Sequence, residues 1–213
     1  MDERHEQRMG GMSTASTAPG RRTRTPSGDV ERELISAAEQ VLAREGPSGL
    51  TVRAVAAEAG IAPMGVYNRF GGKDGLIDAL LIIGFDRLRA SIVGGDEADQ
   101  LERLRSCGMR YRRFALDNRH FYAIMFEAAL VEQSSSAEVA EHAAAAFGAL
   151  VDNVALAAAA GRIEAAEPRE VAQRIWSNVH GAVALELKGL VLTPDPEATY
   201  RDGVDTMLRG LAA

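Results

Sequence analysis

Cysteine is almost missing from this chain: Cys107 is the single one in 213 residues. It has no partner for an intrachain disulfide and lacks the paired spacing of a zinc site, which points to a reducing, cytoplasmic setting with Cys107 as a small core residue. Aromatic residues are scarce at 5%, with one tryptophan. With abundant alanine, that scarcity favours helix over sheet. No stretch approaches about 18 consecutive apolar residues, and no charged segment leads into an apolar run with a cleavage site, so neither a membrane span nor a secretion signal is expected. Repeated Glu-x-x-His units, which hold paired metals in bundle enzymes, are also missing. Asp117-x-x-His120 occurs once and Glu138 and His142 stand four apart. No nucleophile elbow, phosphate loop or metalloprotease motif is present, so catalysis, metal and cofactor are not expected.

An excess of positive charge is lacking too, since the formal net charge is −6. Its distribution matters more than its sum. From Arg21 to Lys73 eight basic residues face six acidic ones, a net of +2 that leaves −8 for the remainder. A mildly basic head on an acidic body suits a protein that presents one end to a polyanion. Residues 1 to 28 are rich in Gly, Ser, Thr and Arg, contain Pro19 and Pro26, and show no apolar periodicity. They read as a disordered arm whose Arg21, Arg22 and Arg24 are either solvated or laid along a nucleic acid.

What is present is helical spacing from Asp29 onward. Leu34, Ile35, Ala38, Val41 and Leu42 recur on one face, with Asp29 as the expected cap and Gly46-Pro47 as the end. Thr51 caps a second, short helix that Gly60 terminates, and Pro63 opens a third that runs to Phe70 before Gly71-Gly72. A fourth begins near Asp74 and carries Leu76, Ile77, Leu80, Leu81, Phe85 and Leu88 up to Gly94-Gly95. Further helices are expected at about 98–117, 119–129, 136–160, 168–191 and 196–212. The class is all-α, with no strand-length alternation and no repeat.

The second and third helices, joined by a tight glycine-containing turn, have the geometry that lays one helix in a major groove. At 100° per residue, Val66 and Phe70 face inward with Ile61, leaving Met64, Gly65, Asn68 and part of Tyr67 outward. Asn68 can bond a base edge, Tyr67 can donate its hydroxyl to phosphate, Met64 can touch a thymine methyl, and Gly65 removes bulk at the groove floor.

The run Thr51-Val-Arg-Ala-Val-Ala-Ala-Glu-Ala-Gly-Ile-Ala-Pro-Met-Gly-Val-Tyr-Asn-Arg-Phe-Gly-Gly-Lys-Asp-Gly-Leu resembles the DNA-binding signature of the tetracycline-repressor family. The resemblance implies that Thr51, Arg53 and Lys73 contact phosphates, so Thr51, Arg53, Pro63, Met64, Gly65, Tyr67, Asn68 and Lys73 form the expected DNA-facing set. Where many family members carry a polar cap before the third helix, this chain has Ala62. In the other half, Trp176-Ser-Asn-Val-His-Gly-Ala-Val-Ala-Leu-Glu-Leu-Lys-Gly and Tyr111-Arg-Arg-Phe-Ala resemble a Trp/His/Gly subgroup of the family's sensor domains. Trp176 and His180 share a helix face, and Gly181 lets another helix approach.

The resemblance implies a helix-turn-helix domain at 29–75, a connecting helix to about 93, and a helical ligand-binding and dimerisation domain at 96–213. It further implies a homodimeric repressor of double-stranded operator DNA, released by a small, largely apolar effector, without cofactor or membrane. Tyr111, Phe114, Tyr122, Met125, Phe147, Trp176 and His180 are the expected effector contacts, although Met and aromatic residues at helical spacing also serve as ordinary core. The alternative left open is a helical ligand- or protein-binding module that does not bind DNA, against which Tyr67 and Lys73 argue.

Overall fold

The computed structural model describes residues 27–93, 97–126 and 136–212, and among these it contains nine α-helices. They are α1 Ser27–Gly49, α2 Val52–Glu58, α3 Pro63–Phe70, α4 Lys73–Ile92, α5 Gln100–Asp117, α6 Arg119–Phe126, α7 Ala137–Ala159, α8 Pro168–Leu187 and α9 Pro196–Arg209. No strand occurs among the described residues, and the one backbone pairing of that type is an isolated bridge between Ile163 and Ala212. The arginine arm expected at 1 to 28 lies almost wholly outside the described residues, as do 127–129 of the helix expected at 119–129.

Local chemistry explains most element ends. Gly46, at φ 70 and ψ −173, breaks the regular part of α1 ahead of Pro47. Thr51 Oγ1 accepts from the Ala54 N–H at 3.1 Å and starts α2. The α2–α3 turn needs Gly60, whose φ of 65 would strain any residue with a Cβ. Two expected ends move. Asp29 does not cap α1, which begins at Ser27; it lies in the first turn and pairs with Arg32. The eighth helix stops at Leu187 rather than at 191, because Gly189 turns the chain at φ 67 and leaves Leu190 and Leu192 exposed.

A first core joins Leu34, Val41 and Leu42 of α1 to Val55 of α2, Val66 of α3 and Leu76 and Leu80 of α4, all fully buried. Ion pairs fix how these helices lie. Arg69 of α3 donates Nε to Glu31 of α1 at 2.7 Å, and Arg44 of α1 reaches Glu58 of α2 at 2.9 Å. In the second half α7 is the central helix, packed on α4, α5 and α8. It is long and apolar enough by composition to cross a membrane, yet Val139, Ala146, Leu150, Val154 and Ala157 are buried by neighbouring helices and Asn153 sits among them. Its apolarity is that of a core helix, which explains why the sequence shows alanine tracts there.

Alpha5 is bolted to α8 and α9. Arg112 makes a two-pronged pair with Glu186 at 2.7 and 2.8 Å, Arg105 does the same with Asp205 at 2.5 and 2.7 Å, and the Tyr200 hydroxyl donates to the Gly108 carbonyl at 2.8 Å. Such bidentate pairs set orientation as well as distance.

Two glycines of α4 make contrasting demands. A Cβ on Gly75 would stand 2.0 Å from the Phe70 carbonyl oxygen, a backbone atom that cannot step aside. A Cβ on Gly84 would meet Met125 Sδ at 2.8 Å, the far end of a flexible side chain. Gly75→Ala is therefore expected to destabilise by about 3 kcal/mol, the upper end of overpacking effects, lowering the melting temperature by about 6–12 °C. Gly84→Ala should stay within about 1 kcal/mol of the parent. Scanning calorimetry of both variants checks this, and equal losses would refute the backbone-clash argument.

Candidate functional site

The exposed face of α2–α3 mixes polar and apolar side chains. Thr51, Arg53, Pro63, Met64, Tyr67 and Asn68 are all exposed, Met64 at 64% and Tyr67 at 52%, while Val66 beneath them is fully buried. Gly65 and Lys73 are half-buried. The Thr51 hydroxyl already accepts from Ala54, but its own hydrogen is left to donate. Alpha3 opens at Pro63 with Ala62 before it and no side-chain cap, so backbone donors at its start are not absorbed by a neighbouring side chain. The Tyr67 ring lies over the Gly72 position, its Cε1 3.5 Å from where a Cβ would stand.

Gly65 has a different reason from the one its exposure suggested. A Cβ there would fall 2.6 Å from Ile61 Cγ2, so glycine is needed for the turn to close against α3. Sequence reasoning also counted basic residues without seeing which are spent. Arg32, Arg44 and Arg69 are engaged by acidic residues of the same half, whereas Arg53 and Lys73 enter no ion pair among the described residues. Among the described residues of this face, Arg53 and Lys73 are therefore the basic groups not already engaged by a carboxylate.

The second site is a partly open cavity of about 280 Å³ bordered by α4, α5, α6, α7 and α8. Of the expected effector contacts, Tyr111, Met125, Phe147 and Trp176 line it. Phe114 does not; it is buried in the core at 4% exposure. Tyr122 and His180 do not line it either, and stand behind Tyr111. Phe126, an aromatic at helical spacing that the sequence also offers as a pocket residue, lines it too, whereas sequence reasoning missed Phe85, Leu88 and Ile92 of α4, which form one wall, and Cys107 on another. Burial pushes the Cys107 thiol up to about 11, so it stays neutral.

Behind Tyr111 lies a polar knot. The Tyr111 and Tyr122 hydroxyls each stand 2.9 Å from His180 Nδ1. His180 stacks on Tyr122 with ring centroids 5.4 Å apart, and Phe126 and Trp176 flank it at 5.0 and 5.5 Å. Gly181, expected to admit a helix, has no atom of the described residues within 4 Å of where a Cβ would stand and is exposed, as is Gly203 of α9. Their faces are continuous with exposed Leu185, Leu190 and Leu192.

Helix-turn-helix, connecting helix and a bundle with an internal cavity define a DNA-binding transcription regulator. The family described as "Bacterial regulatory proteins, tetR family" matches residues 34–80, and "Tetracyclin repressor-like, C-terminal domain" matches 104–207. The chain belongs to the tetR family of transcription regulators, and it is not an enzyme. A solved structure of a protein of unknown function from Rhodococcus sp. RHA1 is 29% identical, with a TM-score of 0.78 over 86% of this chain and 96% of that one. A bacterial regulatory protein of the tetR family, also from Rhodococcus RHA1, is similar in fold at 21% identity and a TM-score of 0.66, covering 86% and 97% of the two chains. The regulator PfmR from Thermus thermophilus is 18% identical with a TM-score of 0.62 over 84% and 99%. No curated protein matches the chain.

Proposed function

We propose that this regulator is a homodimeric, cytoplasmic repressor whose α3 reads a major groove and whose cavity takes a small, apolar effector that releases the operator. The carrying observation is α4, which holds Lys73 at the DNA-facing end and Phe85, Leu88 and Ile92 in the cavity wall. At about 1.5 Å per residue it spans about 30 Å, so a small tilt at the cavity becomes a displacement of α3. The division at 29–75 and 96–213, with α4 between them, follows the same logic. Alpha6 supplies a second link. Met125 and Phe126 line the cavity, Phe121 lies 4.9 Å beneath the Arg87 guanidinium, and Arg87 grips Glu39 of α1 at 2.8 and 3.2 Å.

The second copy of the chain is assigned to the open α8–α9 face, where Leu185, Leu190 and Leu192 line a groove with Gly181 and Gly203 nearby. A two-fold pairing there would set two α3 helices about one DNA turn apart. Ligand would then act by changing that separation. For induction the effector must bind the released state better, and a coupling of about 1–3 kcal/mol weakens operator affinity about 5- to 150-fold.

DNA contact is tested at two residues with different signatures. Lys73→Ala should weaken binding to all duplexes alike and reduce the salt slope by about one, whereas Asn68→Ala should relax preference at particular bases, at about 1–3 kcal/mol per lost pair. Fluorescence anisotropy against a selected operator and a scrambled duplex separates the two. An unchanged affinity for Lys73→Ala at about 0.1 M salt would remove the phosphate contact from the proposal.

A further inference from the structure

The effector's chemical class follows from what lines the cavity, taking as given the reading above that a ligand binds there. None of its lining residues carries a charge: they are aliphatic, aromatic, glycine, Met125 and Cys107. Arg169, whose guanidinium lies 5.3 Å from the Phe147 ring centroid, is exposed and is not part of the lining. A carboxylate or ammonium placed inside would lose its hydration with no counter-charge to replace it. At about 280 Å³ the space sits at the small end of drug-sized pockets, which favours a compact molecule.

The cavity is not featureless. Tyr111 and Trp176 are the lining residues whose side chains carry a hydroxyl and an indole N–H, and the Tyr111 hydroxyl sits at the edge of the cavity, in the knot with His180 and Tyr122. Burial pushes the Tyr111 hydroxyl up, only partly offset by hydrogen bonding from Trp176 and Tyr122, so it keeps its proton. His180 Nδ1 gives this hydroxyl two settings. With Nδ1 bare, Tyr111 or Tyr122 donates to its single lone pair; when Tyr111 does so, only an oxygen lone pair not taken by Trp176 or Tyr122 is left to accept from a ligand hydroxyl. With Nδ1 protonated, the imidazole donates to the Tyr111 oxygen and frees the Tyr111 O–H for a ligand carbonyl. The rings of Tyr122, Phe126 and Trp176 around His180 hold the imidazole in place for either setting.

We propose that the cavity selects an uncharged, compact, largely apolar molecule carrying one hydrogen-bonding oxygen, an alcohol or a ketone. Tyr111 meets that oxygen, and His180 with Tyr122 are positioning residues behind it. Trp176 is the only tryptophan and lines the cavity, so its emission reports occupancy directly.

The test uses the full chain and four matched, non-fluorescent probes: tert-butylcyclohexane, a tert-butylcyclohexanol, the corresponding ketone and the corresponding cyclohexanecarboxylate. Affinities come from calorimetry, and Trp176 emission locates the probe. The alcohol and ketone should bind about 3- to 10-fold tighter than the hydrocarbon, the span of one net hydrogen bond. The carboxylate should bind at least about 100-fold more weakly than the alcohol. Tyr111→Phe should bring alcohol and ketone down to the hydrocarbon's affinity while leaving the hydrocarbon unchanged, which also verifies that the variant is folded. His180→Leu should lower the oxygen preference with the hydrocarbon again unaffected, a change that a purely structural role would not produce. If no uncharged probe binds, the cavity reading itself fails. If the hydrocarbon binds as tightly as the alcohol and ketone, if the carboxylate binds best, or if the preference survives Tyr111→Phe, the cavity reading stands and the oxygen-anchor inference is overturned.

Discussion

Leu185→Glu is expected to convert the protein to a monomer at micromolar concentration and to lower operator affinity by about 10²- to 10⁴-fold. Leu185 is 51% exposed on α8 and lines a groove of about 260 Å³ with Leu190, Ala182 and Val204. A carboxylate pressed into such a face by a second copy would be desolvated without a partner, and its mirror image would stand across the two-fold axis. The fall in affinity follows from the loss of linked half-sites, since a second reader held on the same body raises apparent affinity by about that factor. Sedimentation and an operator titration read the two effects separately. A monomer that binds operator as tightly as the parent would refute the coupling between dimer and reader, and an intact dimer would refute the assignment of this face. Asp152→Glu, an exposed substitution on α7, serves as the neutral comparison.

The reader was legible in the sequence because its determinants are local. A cap at Thr51, a positive-φ glycine at position 60, a proline at the first position of α3 and glycines at 71 and 72 are short-range requirements, and each sits where the backbone demands it. What holds the reader together was not legible. Glu31 and Arg69 are 38 residues apart and Glu39 and Arg87 are 48 apart, so nothing in the spacing singles out these partners from other charges on solvated faces. Gly75 gave no signal either, because the clash it avoids is with a carbonyl in the preceding turn rather than with any patterned side chain.

Periodicity misled at the end of α8 and in the cavity for one shared reason: it ranks residues by apolarity and not by what faces them. Leu190, Val191 and Leu192 continue the apolar stripe, so the helix read as longer, although Gly189 ends it and Leu192 is 97% exposed. Likewise Phe85, Leu88 and Ile92 carry the same stripe as Leu76 and Leu80 of the same helix, yet the first three border empty space and the last two border packed side chains. His180 is the converse case. Its proximity to Trp176 is a four-residue spacing that sequence shows, but its two hydroxyl partners lie 69 and 58 residues away. A position behind the cavity wall, rather than in it, is a tertiary fact.

Ala146→Phe is expected to abolish the response to effector while leaving operator affinity within about 3-fold of the parent. Ala146 of α7 lines the cavity with Phe147 and Leu150 and is itself 3% exposed, so a phenyl ring there extends into the space a ligand would occupy. Overpacking is costly where side chains are already in contact, but here the added ring enters unfilled volume and gains dispersion contacts, so stability should change by less than about 1.5 kcal/mol. The ring displaces the ligand without touching the proposed DNA-facing surface, which is made of Thr51, α2, α3 and the start of α4. With the tert-butylcyclohexanol as probe, the parent should lose about 5- to 150-fold in operator affinity at saturation and the variant should lose none. Ala144→Phe, two residues away on the exposed side of α7, should respond like the parent. If Ala146→Phe alone already weakens operator binding about 5-fold or more, the filled cavity belongs to the released state, and blockade without release is the wrong description. If the variant still responds fully to the probe, the effector binds elsewhere and the link from cavity through α4 to Lys73 is lost.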